Sequence, residues 1–90
     1  MRNLKGMTAW ITGAGSGIGE GAALALAQEG VKVFLTGRRH EPLELLAKKI
    51  HKLGGFAEVA QGDAKDRDGI QKIANDINEK YGQIDLLFNN

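Results

Sequence analysis

Short apolar runs alternate with longer stretches of mixed polarity along the whole chain. The short runs are enriched in Val, Ile, Leu and Phe, which is typical of buried strands. The longer stretches are rich in Ala and Leu or carry apolar residues at helical spacing. The pattern therefore predicts strands over residues 7–12, 31–36, 56–61 and 84–88, and helices over residues 17–29, 42–53 and 66–81.

Residues that commonly start or stop helices lie at the ends of these helical stretches. Gly30 follows the first predicted helix and Gly82 the third, where a left-handed residue often ends a helix. Pro42 is expected at the first position of the second helix. Five apolar side chains of that helix share one stripe at i, i+3, i+4, i+7 and i+10: Leu43, Leu46, Ala47, Ile50 and Leu53.

The order strand, helix, strand, helix, strand, helix, strand predicts an α/β fold. Strands that alternate with helices form a parallel sheet with right-handed crossovers. The expected architecture is a partial Rossmann (doubly wound) fold with three helices and a four-stranded parallel sheet in the order 3-2-1-4. No linker or repeat divides the chain, so residues 1–90 are expected to be the N-terminal part of a single domain, without its C-terminal part.

Composition narrows the classes of partner. With 12 basic and 11 acidic residues the formal net charge is +1, which provides no general field for nucleic acid or an anionic membrane. The chain has no cysteine and no apolar stretch of transmembrane length, and residues 1–6 lack the apolar core of a signal peptide, so a cytoplasmic location is expected. His40 and His51 have no second ligand at metal spacing, and both are expected as solvated surface residues.

The glycine turn, residues 12–19, joins the first predicted strand to the first helix. It reads Thr-Gly-x-x-x-Gly-x-Gly, whereas the spacing Gly-x-Gly-x-x-Gly fails because Ile18 stands at the third glycine position. Backbone N–H groups at a helix N-terminus bind anions. Gly13 is expected to permit the tight exit from the strand, and Gly17 the close approach of a pyrophosphate. Gly19 is expected to let the helix pack on the sheet.

Three small residues of the same helix, Gly21, Ala22 and Ala25, are expected to assist Gly19 in this packing. The alternative interpretation of the glycine turn is a glycine-rich connector without a ligand. The strand before the turn and the helix after it favour a nucleotide site.

With these motifs the chain resembles the N-terminal half of a short-chain dehydrogenase/reductase, over essentially all of its length. Thr36-Gly37-Arg38-Arg39 after the second strand, Gly62-Asp63 after the third, and Asn89-Asn90 after the fourth support the resemblance. The resemblance implies a nicotinamide dinucleotide as cofactor. The implied binding residues are Gly13, Gly15, Ser16, Gly17, Ile18, Gly19, Gly37, Arg38, Arg39, Asp63, Ala64, Asn89 and Asn90.

The end of the second strand selects the cofactor in such folds, because it lies beside the adenosine ribose. Gly37 occupies the place of the acidic residue that would repel a 2′-phosphate, and Arg38 follows it, with Arg39 able to stack on adenine or add charge. NADP is therefore favoured, with NAD as the alternative. The competing interpretation is that both arginines only solvate a loop.

Two implied roles have structural alternatives. By resemblance, Asp63 accepts a hydrogen bond from the adenine amino group, but it also suits a turn or helix cap. By resemblance, Asn89 lies beside the cofactor and braces the central strands, and its alternative is a frayed terminus.

The resemblance implies an oxidoreductase in which hydride passes between NADP(H) and an alcohol or carbonyl substrate. The catalytic residues it implies are a serine and a Tyr-x-x-x-Lys motif. The one tyrosine, Tyr81, has Asp85 where the lysine should stand, so it is interpreted as a structural residue and Trp10 as a core residue. The chain is predicted to be inactive alone. The alternative function is a non-catalytic nucleotide-binding or self-associating module, and an FAD-binding unit is a third. A homo-oligomer is expected through an exposed sheet edge or apolar face.

Overall fold

The computed structural model describes residues 4–90, so residues 1–3 of the expected domain lie outside the described part. Four strands alternate with three helices as the pattern predicts. The strands are β1 (Thr8–Thr12), β2 (Lys32–Thr36), β3 (Ala57–Val59) and β4 (Leu86–Asn89), and the helices are α1 (Gly17–Gln28), α2 (His40–Lys52) and α3 (Arg67–Tyr81).

The strands form one parallel sheet in the order β3-β2-β1-β4, which confirms the predicted topology. The register pairs Thr12 at the end of β1 with Thr36 of β2 and with Asn89 of β4. Three strands therefore finish level with one another. We call this side of the sheet the carboxyl edge.

Alternation along each strand gives the sheet two different faces. Ala9 and Ile11 of β1 face a large core beneath α1 and α2, where Leu43 and Ile50 are fully buried. Trp10 of β1 points to the opposite face, which is covered by α3 and has a smaller core of Trp10, Phe34 and Ile77. The prediction that Trp10 is a core residue is confirmed, since it is 6% exposed.

The second helix differs from its prediction at both ends. It begins at His40, so Pro42 is the third residue of α2 and not the first. Proline is tolerated there because N–H groups of the first turn have no intrahelical acceptor. Leu53 is 64% exposed and does not extend the buried stripe, because the helix ends at Lys52 and the chain turns away at Gly54, where φ is +86°.

Strand and helix bounds differ by a few residues elsewhere. The first helix ends at Gln28, one residue before its predicted end, and β2 begins at Lys32. Asp66, predicted as the first residue of α3, is its N-cap, and its carboxylate accepts a hydrogen bond from the Gly69 N–H at 3.2 Å. The fourth strand ends at Asn89, which pairs with Thr12 of β1. Asn89 therefore lies in a strand, which disagrees with the alternative of a frayed terminus.

The His51 side chain is exposed but not purely solvated, because its Nε2–H donates to the Ala57 carbonyl at 2.8 Å. This bond ties the end of α2 to β3. Within residues 4–90, none of the helices is both long enough and apolar enough to span a bilayer.

Candidate functional site

The glycine turn leaves β1 at the carboxyl edge and enters α1 after four residues. Gly13 has φ +66°, a left-handed conformation that favours glycine. A Cβ on Gly13 would lie 2.7 Å from the Asn90 carbonyl oxygen. The next residue, Ala14, donates its N–H to the Thr36 carbonyl at 3.1 Å, which holds the turn against the end of β2. These contacts explain the requirement for glycine at position 13.

Gly19 has a different role from the one predicted. A Cβ on this buried residue would collide with the Gly13 carbonyl oxygen, so Gly19 allows the turn to fold back on itself. Gly21 and Ala25 are exposed, so their predicted part in packing α1 on the sheet is wrong. The small residues that α1 buries in the core are Ala23 and Ala27, which lie on the opposite side of the helix.

Ser16 occupies the N-cap position of α1, but its hydroxyl does not cap the helix. It donates to the Gly13 carbonyl at 3.1 Å and accepts from the Asn90 side-chain amide at 2.9 Å. The N–H groups in the first turn of α1 have no acceptor within the helix. The Ser16 hydroxyl does not accept a hydrogen bond from any of them. A Cβ added to Gly17 would meet no atom within 4 Å, so the approach to this turn is open.

Two adjoining clefts lie at the carboxyl edge and share Gly13, Gly37 and Arg38. One cleft has a volume of about 460 Å³ and runs between the glycine turn and the start of α2. The second has a volume of about 290 Å³ and runs between the ends of β1, β2 and β3. The residues that line one cleft or both are Thr12, Gly13, Gly15, Ser16, Thr36, Gly37, Arg38, Arg39, Pro42, Gly62, Asp63, Ala64, Lys65 and Asn90.

The arginine turn, residues 37–39, connects β2 to α2 and borders both clefts. Arg38 and Arg39 are exposed, and within residues 4–90 neither forms an ion pair with a carboxylate. Arg39 is the N-cap residue of α2 without a side-chain cap hydrogen bond. The two guanidinium groups therefore add positive charge to this corner of the site, and no carboxylate of residues 4–90 lies within ion-pair distance of either.

Asp63 lies in the smaller cleft and makes the turn contact that was its structural alternative. Its Oδ1 accepts from the Lys65 backbone N–H at 3.0 Å. This contact uses one carboxylate oxygen and leaves the carboxylate at the cleft wall. Lys65 also lines the cleft, and the sequence interpretation missed it; its position two residues after Asp63 in the same loop was the available signal.

Asn89 and Asn90 brace the carboxyl edge. The Thr12 hydroxyl donates to Asn89 Oδ1 at 2.7 Å, which joins β1 to β4 by their side chains. The Asn90 amide donates to both the Gly13 carbonyl, at 3.2 Å, and Ser16 Oγ. Asn90, which directly follows β4, therefore holds the glycine turn in place from one side.

The structure gathers most of the predicted binding residues in the two clefts, but not all of them. Ile18 is 72% exposed on the first turn of α1. Gly17 is also exposed there, Gly19 is buried inside the turn, and Asn89 lies in the strand below. Pro42 lines the larger cleft and was not predicted to do so, because its place depends on how α2 follows the arginine turn.

Tyr81 packs away from these clefts, at the C-terminal end of α3. Its hydroxyl donates to Glu58 Oε1 at 3.0 Å, and its ring lies 5.0 Å from Phe34 and 5.6 Å from Phe56 between centroids. The hydrogen bond to Glu58 is the main cause that raises the pKa of Tyr81 above 10.0, and burial and the Glu58 charge add to it. These contacts agree with the structural interpretation of Tyr81.

The sequence profile of a family described as short chain dehydrogenase matches residues 7–90. The chain belongs to the short-chain dehydrogenase family. This membership confirms the resemblance drawn from the glycine turn, the arginine turn and the asparagine pair.

Individual members of the short-chain dehydrogenase family resemble the chain over nearly its whole length. An uncharacterized oxidoreductase, YxbG, from Bacillus subtilis is 38% identical over 90 residues, covering 100% of this chain and 33% of the relative. The 3-oxoacyl-[acyl-carrier-protein] reductase FabG of Thermotoga maritima is 39% identical over 87 residues, covering 97% and 35%. The chain thus spans about a third of the length of these curated relatives.

A solved structure gives the same result for the fold. A metagenomic short-chain oxidoreductase, described as a complex with NADP, is 35% identical and superimposes with a TM-score of 0.90, covering 96% of this chain and 39% of that one. The partial Rossmann architecture is therefore the one found in this family.

Proposed function

We propose that residues 1–90 are the N-terminal part of an NAD(P)-binding Rossmann domain and bind the adenosine and pyrophosphate half of NADP. The observation that carries this proposal is that the uncapped first turn of α1 and two exposed arginines lie along one continuous pair of clefts. Neither arginine forms an ion pair with a carboxylate of residues 4–90. Helix N-termini and arginines both favour phosphate.

The glycine turn is the proposed site of the pyrophosphate. First-turn N–H groups of α1 supply donors, and the positive end of the helix dipole adds to the attraction. Gly17 leaves room for a phosphate oxygen close to the backbone, whereas Gly15 lines the larger cleft beside Pro42. The Ile18 N–H would also face the phosphate while its side chain stays in solvent. The hydrogen bond between Ser16 and Asn90 holds the turn in place, and the absence of a Cβ at Gly19 lets the turn fold back on itself.

The arginine turn is the proposed site of the 2′-phosphate. Gly37 offers no carboxylate to repel it, and Arg38 lines both clefts. A guanidinium can donate two parallel hydrogen bonds to one phosphate group. Arg39 adds charge or stacks on the adenine. The relative solved with NADP supports this choice, and NAD is the alternative.

The smaller cleft is the proposed site of the adenine. Asp63 keeps its carboxylate at the wall of this cleft and would accept from the adenine amino group, with Ala64 beside it. Asn89 supports the neighbouring strand through Thr12. Bound NADP(H) would supply hydride chemistry to the whole protein.

The whole protein is proposed to be an oxidoreductase that acts on an alcohol or carbonyl substrate. This proposal is supported by the family and by relatives such as the 3-oxoacyl-[acyl-carrier-protein] reductase. We propose that the 90-residue chain binds cofactor without turning it over. In its favour, Tyr81 is engaged by Glu58, and the residue four positions later is Asp85 instead of lysine.

Calorimetric titration of the 90-residue chain with NADP and NAD tests the binding proposal. NADP is expected to bind more tightly than NAD. Arg38→Asp should abolish that preference or reverse it, because a carboxylate repels the 2′-phosphate and accepts from a 2′-hydroxyl. Losing one charge-assisted contact corresponds to about tenfold or more in NADP affinity.

The matched control is Arg67→Asp, which makes the same change of charge at an exposed residue at the start of α3. Its NADP preference should equal that of the wild-type chain. Absence of binding to either dinucleotide at millimolar concentration would reject the proposed function. An unchanged preference in Arg38→Asp would remove Arg38 from its role.

A second candidate function, self-association, is favoured by the β4 edge. Among the described strands, β4 pairs with β1 alone, and Leu87 in its middle is 63% exposed. Exposed strand edges with apolar side chains pair readily with another chain. We propose that the isolated 90-residue chain forms a homo-oligomer through this edge.

A further inference from the structure

The segment that follows β3 is joined to the arginine turn by two hydrogen bonds of different kinds. The Gly62 backbone N–H donates to the Gly37 carbonyl at 3.0 Å. The Gln61 side-chain amide donates to the Arg38 carbonyl at 2.9 Å. Any residue could make the first bond except proline, whereas the second requires a side-chain donor of suitable length at position 61.

The backbone that carries Gln61 is itself held firmly at the preceding residue. Ala60 donates its N–H to the Leu35 carbonyl at 2.8 Å, and its own carbonyl accepts from the Thr36 hydroxyl at 2.7 Å. The same hydroxyl accepts from the Trp10 indole N–H at 2.8 Å, and Thr36 is only 1% exposed. This buried chain of hydrogen bonds fixes the point from which the Gln61 side chain extends.

Arg38 is the middle residue of the link between β2 and α2. Thr36 before the link belongs to the sheet, and His40 after it belongs to the helix. The Arg38 side chain is exposed and has no carboxylate partner within residues 4–90, so no ion pair among these residues fixes its direction. The hydrogen bond from Gln61 acts on the carbonyl of that same residue.

We propose that Gln61 is a positioning residue that fixes the backbone of Arg38 and so aims its guanidinium at the 2′-phosphate of the cofactor. This inference rests on the proposed function. It predicts that Gln61 affects the selectivity between a phosphorylated and a free ribose 2′-oxygen while it leaves the affinity for the rest of the adenosine unchanged.

The test compares two small ligands that need only the adenosine half of the site. Adenosine 2′,5′-bisphosphate carries the 2′-phosphate, and adenosine 5′-monophosphate carries a 2′-hydroxyl. Gln61→Met keeps the length of the side chain and removes the donor. Calorimetric titration of the 90-residue chain should show the ratio of the two affinities falling by about three- to tenfold, the range expected for one hydrogen bond. The affinity for the monophosphate should stay unchanged.

The control is Gln71→Met, which removes another exposed glutamine amide, one that donates to Asn75 Oδ1 on α3. Both affinities should remain at the wild-type values. If the wild-type chain prefers the bisphosphate and Gln61→Met keeps the full preference, the positioning role is wrong while the proposed function stands. An equal fall in both affinities would also overturn the inference.

If the wild-type chain instead binds the bisphosphate no better than the monophosphate, this result bears on the proposed function itself. In that case the proposed NADP preference fails, and the role of Gln61 fails with it. Chemical denaturation of both variants checks that they fold. Both should unfold close to the wild-type midpoint, because neither change removes a buried group.

Discussion

At the scale of single residues, Gly17 and Gly19 stand two positions apart and meet opposite surroundings. A Cβ on Gly19 would strike the backbone of the glycine turn, whereas one on Gly17 would enter open space. Folding alone therefore explains glycine at position 19 but not at position 17. The open position is where a ligand-based reason for glycine can be tested.

Gly17→Ala should separate stability from binding. Alanine is favoured over glycine in a helix by about 0.5–1 kcal/mol, so the free energy of unfolding should stay equal or rise. The affinity for NADP should fall, because the added methyl group occupies the approach to the first-turn N–H groups. Urea denaturation followed by circular dichroism measures the first quantity, and calorimetry measures the second.

Gly21→Ala is the matched control, since Gly21 also lies in α1 with open space at its Cβ. It should show the same gain in stability and full affinity for NADP. Equal affinities in the two variants would contradict the role proposed for Gly17.

The residue scale also shows where sequence reasoning reaches its limit. The spacing of the glycines identified the turn and indicated the family, because a sequence motif can be recognised without knowing the structure. The role of Gly19 was predicted wrongly, because it depends on the direction of the Gly13 carbonyl. Pro42 was missed for a similar reason, because its place in the larger cleft depends on how α2 follows the arginine turn. Lys65 was missed although it stands two residues after Asp63 in the same loop.

At the scale of elements, Tyr81 and Glu58 join α3 to β3 by a side-chain hydrogen bond. The Lys32 Nζ lies 5.9 Å from the centre of the Tyr81 ring and adds a cation–π contact. Because the folded pKa of Tyr81 is raised, this link stabilises the fold below the unfolded pKa of about 10. Its contribution is lost as the pH rises through the higher folded pKa.

A titration of tyrosinate absorbance should show a midpoint above 10.0 in the folded chain, and the signal is simple because the chain has one tyrosine. Glu58→Gln removes the charge and weakens the acceptor, so the midpoint should move down towards 10.0. The control Glu44→Gln removes a carboxylate of α2 that faces His40, and it should leave the midpoint unchanged. A midpoint unaffected by Glu58→Gln would contradict the assigned cause.

Element types followed from the pattern, whereas some element ends did not. Alternating composition was enough to identify the four strands and three helices of residues 4–90. The start of α2 was misplaced because Arg39 provides no side-chain cap, so no residue type marks the helix start. Leu53 fitted the helical stripe by spacing, but the helix had already ended when the chain reached it.

At the scale of the whole molecule, the sheet order was predictable because right-handed crossovers leave few arrangements of four parallel strands. The sequence pattern did not show directly that the two faces of the sheet are covered unequally. Among the described helices, α1 and α2 cover one face and α3 covers the other, where Leu87 of β4 remains mostly exposed beside Trp10. This exposed edge is the molecular feature with the clearest consequence for association.

Leu87→Lys should weaken self-association of the 90-residue chain, because a charge at a strand edge disfavours pairing with another strand. Sedimentation at several protein concentrations should show the wild-type chain as a dimer or larger species and the variant shifted towards monomer. Leu53→Lys is the control, since Leu53 is equally exposed, at 64% against 63%, but lies at the end of α2. A monodisperse wild-type monomer would reject association through this edge.

The hydrogen bond between Trp10 and Thr36 has an optical consequence. Trp10 is the one tryptophan of the chain, and its indole N–H is bonded to the last residue of β2, directly before the arginine turn. Its fluorescence therefore originates next to the place where we propose the cofactor binds. A shift of the emission band on addition of nucleotide would report a rearrangement of the end of β2, with no label introduced into the chain.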